Sequence, residues 1–207
     1  MKALFLRTDF YGHLTVGGSF SHVKGFLGGL RKGGHDYVAV SSGELPAEKE
    51  KFAQIPYSDL FRNLPEVLSL AYNYRLINSL PAIIDREKPD FLYHRHSEFN
   101  YSSSVLAKRL SLPLVLEFNG SEVWVKKNWG RAYLTFLLRW AEDVQLRRAD
   151  IIAVVSDVIR DDLVRMGINR SRILVNPNGV DPDVFRPDLD VNDLRQQHEL
   201  DGKIVVC

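Results

Sequence analysis

Short, nearly continuous apolar runs alternate along this chain with longer segments whose apolar residues recur every three or four positions. The runs at Lys2–Arg7, Tyr37–Val40, Asp90–His94, Leu114–Phe118, Ile151–Val155 and Arg172–Val175 are short for helices. They are also too apolar for strands with a wet face, so they are expected as strands buried on both sides. The first amphipathic segment puts Phe20, Val23, Phe26, Leu27 and Leu30 inward and ends at Gly33-Gly34, a helix stop. A second helix is expected over about 64–86, before Pro89, and a third over Tyr101–Leu110, before Pro113. A fourth, long and rich in Leu and aromatics, is expected over about Trp129–Arg148. The fifth starts from an N-cap at Ser156, with Asp157 in its first turn, and finishes at Gly167. Strand–helix alternation predicts an α/β fold: a Rossmann-like parallel sheet with helices on both faces and right-handed crossovers. Residues 44–63 interrupt the alternation, and no element is expected there.

The pattern changes near residue 178, which places a domain over 1–178. Residues 179–201 are dense in turn residues and acids, with seven carboxylates from Asp181 to Asp201 against Arg186 and Arg195. They read as a solvated linker with a short helix near Val191–His198. Gly179 is expected to supply a positive-φ turn and Asp181 to cap or fix the linker, a hinge rather than a site. The run over 202–207 reads as the first strand of a C-terminal domain that the chain does not contain.

Composition narrows the function. Of 207 residues, 27 are Lys or Arg and 26 Asp or Glu, which excludes a polybasic nucleic-acid binder. The single cysteine, Cys207, excludes a disulfide framework and a cysteine zinc site, so a reducing, cytoplasmic compartment is expected. No window approaches the ~20 apolar residues of a membrane-spanning helix.

Chemistry is sought where strands end at their carboxyl edge, the ligand side of an open α/β sheet. The first strand should exit near Thr8, and its loop leads to Gly17, Gly18 and Ser19 at the start of the first helix. Glycines there let backbone N–H groups approach a phosphate, and the helix dipole favours its charge. The plainer reading is that the glycines make a turn and Ser19 caps the helix.

Gly17-Gly18, the amphipathic helix through Leu30, and Gly34-His35-Asp36-Tyr37-Val38 resemble the opening of GT-B glycosyltransferases of family 4. A second passage also resembles that family. It runs from Ala149-Asp150 to Ser156, then through Val175-Asn176-Pro177-Asn178-Gly179-Val180-Asp181 to Phe185 and Pro187. The two lie in the family's order and bracket most of the chain. The resemblance implies an N-terminal, acceptor-side Rossmann-like domain of a retaining, nucleotide-sugar-dependent enzyme, with its active site in a cleft between two domains. It implies donor-phosphate contacts at Gly17 and Gly18, to which the loop reading adds Ser19, and no metal and no cofactor beyond the nucleotide-sugar substrate. Its partners would be a nucleotide-sugar donor and a glycan or lipid-linked acceptor in polysaccharide or glycoconjugate synthesis, and no nucleic acid. Where the family often has a histidine six residues after a strand-opening proline, this chain has Asn119 after Pro113. Asn119 can hydrogen-bond a sugar but cannot titrate. The alternatives are a sugar-nucleotide epimerase of the same architecture and a non-catalytic glycan- or membrane-binding module.

Within that frame, His94 and His96 should share one side of a strand end, with Arg95 on the other. His96 and Glu98 are taken as acceptor or sugar contacts, against the plainer reading of a self-satisfied strand end. Two histidines without a third ligand do not make a metal site. Glu122, after Asn119-Gly120-Ser121, is a further acceptor or sugar contact unless it merely favours the next helix start. Residues 124–148 combine aromatics with an excess of cations, which suits peripheral contact with an anionic membrane. Alternatively, Leu134, Leu137, Leu138 and Trp140 pack on the sheet while the charges, Glu142 and Asp143 included, face water.

Overall fold

A computed structural model describes residues 1–10, 17–45, 49–58, 60, 63–183, 186 and 188–205. Strands β1 (Lys2–Arg7), β2 (Asp36–Ser41), β3 (Phe52–Gln54), β4 (Phe91–Arg95), β5 (Leu114–Phe118), β6 (Ile151–Val154) and β7 (Ile173–Val175) form one sheet. Its order is β3-β2-β1-β4-β5-β6-β7, and every neighbouring pair is parallel. Strand order reverses between β1 and β4, so the crossovers on the two sides of that seam lie on opposite faces.

Side-chain alternation along the strands builds two cores. Leu4, Leu6, Leu92, Leu114, Leu116, Ile152 and Val154 face α2 (Pro65–Glu87), α3 (Ser102–Leu110), α5 (Thr135–Arg148) and α6 (Asp157–Arg165). Ala3, Phe5, Tyr37, Ala39 and Tyr93 face α1 (Gly18–Lys32) through Val23 and Leu27. The expected parallel sheet with helices on both faces is present.

Helix ends follow local chemistry. Gly34 takes φ +73° after α1, and Gly167 takes φ +86° after α6. Ser156 caps α6 by accepting the Ile159 N–H at 3.3 Å. Ser19 does not cap α1: the N-cap is Gly17, at φ +94°, and no side chain among the described residues bonds this end.

Two expectations about helices and strands fail. Residues 44–63 contain β3, which a three-residue edge strand with only two apolar positions does not announce. The helix expected over 129–148 begins only at Thr135, as α5, and a separate helix, α4 (Glu122–Trp129), precedes it across Gly130–Leu134. Glu66, in the first turn of α2, accepts the N–H groups of Tyr133 and Leu134 at 2.8 Å each. A carboxylate from another element thus satisfies donors that a continuous helix would have paired internally.

In the acidic segment, α7 (Asn192–Gln197) forms inside the expected 191–198. Gly179 is not among the positive-φ glycines, while Asp181 does accept the Asp183 N–H at 3.1 Å. Lys203–Val205 pair with no strand among the described residues. Phe185, Pro187 and Cys207 lie outside the described residues.

Candidate functional site

At the reversal seam, the carboxyl ends of β1 and β4 deliver Thr8, Asp9, His96, Ser97 and Glu98 to one edge of the sheet. A pocket of about 460 Å³ opens there. Its polar side includes Asp9, Glu66, Glu98, Glu122, Lys126 and Arg131, with His96 and Ser97 beside them, and its apolar side includes Phe10, Leu64, Pro65, Val67, Tyr133 and Leu134. Three of the expected contacts, His96, Glu98 and Glu122, therefore meet in one cavity.

His96 and its neighbours are held from α5. Its Nε2 lies 3.4 Å from Glu142 Oε2, an ion-pair distance without hydrogen-bond alignment, and its ring rests against Phe118. Burial pushes the imidazole pKa down, but the Glu142 carboxylate more than offsets this and leaves it above the usual value. Glu142 also accepts Ser121 Oγ at 2.7 Å and the Glu122 N–H at 2.8 Å. Burial alone would raise its pKa; His96 and these donors bring it below the carboxylate norm. Glu142 is buried, so the expectation that it faces water is wrong. Its position had a signal, because Leu138, Glu142 and Leu146 stand four residues apart on one helix face.

Glu122 starts α4 and lines the cavity. Burial raises its carboxyl pKa, with Glu98 and Glu142 adding to the rise and His96 and Lys126 opposing it. Lys126 Nζ reaches Glu98 at 2.8 Å. The pocket thus offers two carboxyl groups, Glu122 biased toward its neutral form and Glu98 paired with Lys126, while both ring nitrogens of His96 are buried behind them. That set can donate to and accept from hydroxyls.

His94 shares the side of His96, as alternation required, but it is sealed from the pocket. Its ring nitrogens meet Thr8 Oγ1 at 2.8 Å and Ser103 Oγ at 2.6 Å, and Thr8 meets Ser97 Oγ at 2.8 Å. Burial, then repulsion from His96, pushes its pKa down to about 3. His94 is a neutral clamp between β4, β1 and α3 rather than a ligand contact. Asn73 of α2 fixes the following turn, donating to Phe99 O at 2.9 Å and accepting from Tyr101 N at 2.8 Å and Ser102 N at 3.0 Å.

Asn119 and the glycines sit on the other side of the sheet edge. Asn119 Nδ2 donates to Glu117 Oε1 at 2.7 Å, and Arg95 Nη1 reaches the same oxygen at 2.7 Å. His22, one turn beyond Gly18 on α1, places Nε2 3.1 Å away without hydrogen-bond alignment. Tyr93 donates to the other Glu117 oxygen at 3.2 Å. Burial would raise the Glu117 pKa; His22, Arg95 and Asn119 outweigh it and lower it. With its amide nitrogen committed, Asn119 offers Oδ1 as an acceptor. Asn119 therefore belongs with the α1 N-terminus and not with His96, Glu98 and Glu122. Glu117 was missed, although a carboxylate inside a strand read as buried on both sides is itself a signal.

The α1 N-terminus is exposed, and a Cβ built on Gly18 meets nothing within 4 Å. Among the described residues nothing bonds the first N–H groups of this helix, which are placed to meet an anion. Among the described residues, no three His, Cys, Asp or Glu side chains converge as a metal site, and no helix is long and apolar enough to cross a membrane.

No curated protein matches the sequence. Among solved structures, UDP-GlcNAc 2-epimerase from Methanocaldococcus jannaschii superposes with TM-score 0.59 at 13% identity, covering 84% of this chain and 45% of that one. The S. aureus MnaA–UDP structure gives TM-score 0.63 at 12% identity, covering 95% and 51%. Anabaena Alr3699/HepE in complex with UDP-glucose gives TM-score 0.58 at 15% identity, covering 98% and 50%. These likenesses show a shared GT-B-type fold, and the chain spans about half the length of those structures. The family model for Glycosyltransferase Family 4 matches residues 16–184, through both glycine and strand-end regions of the site. The chain belongs to Glycosyltransferase Family 4.

Proposed function

We propose that this chain is the acceptor-side domain of a retaining glycosyltransferase that takes its sugar from a nucleotide-sugar donor, in the cytoplasm, for polysaccharide or glycoconjugate synthesis. The observation that supports the reading is the separation of two groups of polar residues on one sheet edge. The α1 N-terminus with Gly17, Gly18, Ser19 and Asn119 suits a donor's phosphate and sugar. The pocket of His96, Glu98 and Glu122 suits a polyhydroxylated acceptor, with polar groups for hydroxyls and an apolar wall for a ring face.

The chemistry asked of this half is positioning and charge stabilisation. His96, held against Glu142 with both ring nitrogens buried, fixes the wall that carries Glu122, while Glu122 and Glu98 orient the acceptor hydroxyls. Transfer forms the bond from the acceptor oxygen to the anomeric carbon and breaks the bond from that carbon to the donor phosphate. The acceptor proton leaves with the phosphate oxygen, and the N–H groups of α1 offset the growing negative charge. The reading calls for no metal. A second lobe would supply the rest of the nucleotide site, so residues 1–207 alone are expected to turn over no donor. UDP-sugars, named in the neighbours' structures, are the first donors to try.

The epimerase named in several neighbours is the second reading. A pocket apart from the glycine turn favours transfer, because an epimerase needs room for one sugar only. In the protein that contains this chain, Glu122→Gln is expected to raise the KM for acceptor at least tenfold, with little change in donor KM. An equal rise in both, or none, would remove Glu122 from an acceptor site.

A further inference from the structure

Trp129, Tyr133 and Phe136 are 78%, 90% and 68% exposed, and Trp124 and Trp140 are about half exposed. Single exposed apolar residues are ordinary, but a contiguous patch of large ones marks an interaction surface. Here five of them fall within residues 124–140. Trp124 and Trp129 pack edge-on with ring centroids 5.1 Å apart, Tyr133 follows across the α4–α5 break, and Phe136 and Trp140 are one turn apart on α5. Helix α4 buries none of its residues in this domain. This overturns the expectation that Trp140 packs on the sheet with Leu138, which alone of the four residues named for that role is fully buried.

Two further observations say what covers the patch. Residues 124–140 carry Lys126, Lys127, Arg131 and Arg139 and no carboxylate. Lys127, Arg131 and Arg139 form no ion pair among the described residues. Exposed Trp and Tyr interleaved with unpaired cations match the headgroup layer of an anionic bilayer, where rings sit at the interface and cations meet phosphate. The patch is also continuous with the pocket, because Arg131 and Tyr133 belong to both.

We propose that the 124–140 edge docks on an anionic lipid surface, turning the mouth of the pocket toward the bilayer so that its acceptor arrives on a lipid anchor. The anchored acceptor rests on the acceptor reading of the pocket; the docking does not. All three tryptophans of the protein lie in this edge, so intrinsic fluorescence reports on it alone. The 207-residue chain is mixed with vesicles of phosphatidylcholine, or of phosphatidylcholine and phosphatidylglycerol at roughly 2:1. Sedimentation with the anionic vesicles is expected, with a blue-shifted emission quenched by brominated acyl chains. Lys127→Gln with Arg139→Gln should weaken binding on the order of tenfold or more, since each cation near such a surface contributes attraction. Trp129→Ser with Phe136→Ser should reduce the blue shift and quenching while far-UV circular dichroism is unchanged. No binding at low ionic strength, or equal binding to both vesicle types that ignores the cation variants, would overturn the proposal. So would a dimer in light scattering that Trp129→Ser dissolves, because a second copy would then cover the patch. Vesicle binding needs neither donor nor turnover, so its failure is separate from a failure of sugar transfer.

Discussion

Nε2 of His96 lies 3.4 Å from Oε2 of Glu142, joining the end of β4 to the middle of α5 with both side chains almost wholly buried. An unpaired charge at either position would be expensive, so each group's ionisation depends on the other. The pair holds the wall of the pocket that carries Glu122, because Glu142 also bonds Ser121 and the Glu122 backbone.

Removing the carboxylate should therefore change both stability and titration. His96 has a raised folded pKa, so its contribution is full below the unfolded value and is lost as pH rises through the folded one. Glu142 has a lowered folded pKa, so its contribution is present above the unfolded value and is lost as pH falls through the folded one. The pair stabilises most between those limits, on the mildly acidic side of neutrality. Glu142→Gln is expected to cost about 3 kcal/mol near pH ~6, narrowing as pH rises. The His96 pKa, followed by its ring-proton NMR shift, should fall below ~6.5 in the variant. A pKa that stays put would show that Glu142 does not hold the imidazole.

Asn73 supplies the turn that carries the chain from the pocket into α3. Asn73→Ala removes a partner from the Phe99 carbonyl and from the Tyr101 and Ser102 N–H groups, all near the buried interior. A loss of about 2–4 kcal/mol is expected in urea unfolding. Phe99 holds φ +57° in this turn, and that conformation needs the surrounding bonds. A loss under about 1 kcal/mol would mean the turn holds itself.

The glycine pair should separate folding from binding. Gly17 has φ +94°, so Gly17→Ala is expected to destabilise by about 1 kcal/mol. Gly18→Val puts a side chain into open space at the start of a helix and should leave the melting temperature nearly unchanged. In the protein that contains this chain, Gly18→Val is expected to raise donor KM tenfold or more by screening the N–H groups of α1. Donor kinetics that ignore the valine would remove this turn from the donor site.

Much of this architecture is legible in the residues. Six strands follow from apolar runs, and α1, α2, α3 and α6 follow from periodicity with Gly33, Gly34, Ser156 and Gly167 as punctuation. The missed strand, β3, has three residues at the sheet edge and too little apolar surface to stand out. The break between α4 and α5 depends on Glu66, 67 residues from Tyr133 in sequence, and no local pattern contains such a bond. The site was legible as a set of strand-end residues and not as a grouping. Spacing placed His96, Glu98, Asn119 and Glu122 at one sheet edge, but only the register of β4 and β5 decides that Asn119 turns to α1 with Glu117. Glu142 and Glu117 were hidden because a carboxylate is expected in water, and each is buried by partners distant in sequence.

The central claim is sugar transfer to an acceptor, and NMR of a donor mixture tests it most directly. The protein containing this chain is incubated with a panel of nucleoside-diphosphate sugars, with and without carbohydrate acceptors. Transfer predicts nucleoside diphosphate released only with acceptor, and a new glycosidic bond that keeps the donor's anomeric configuration. Inversion of a ring carbon in the nucleotide-sugar itself, at a rate indifferent to acceptor, would contradict it.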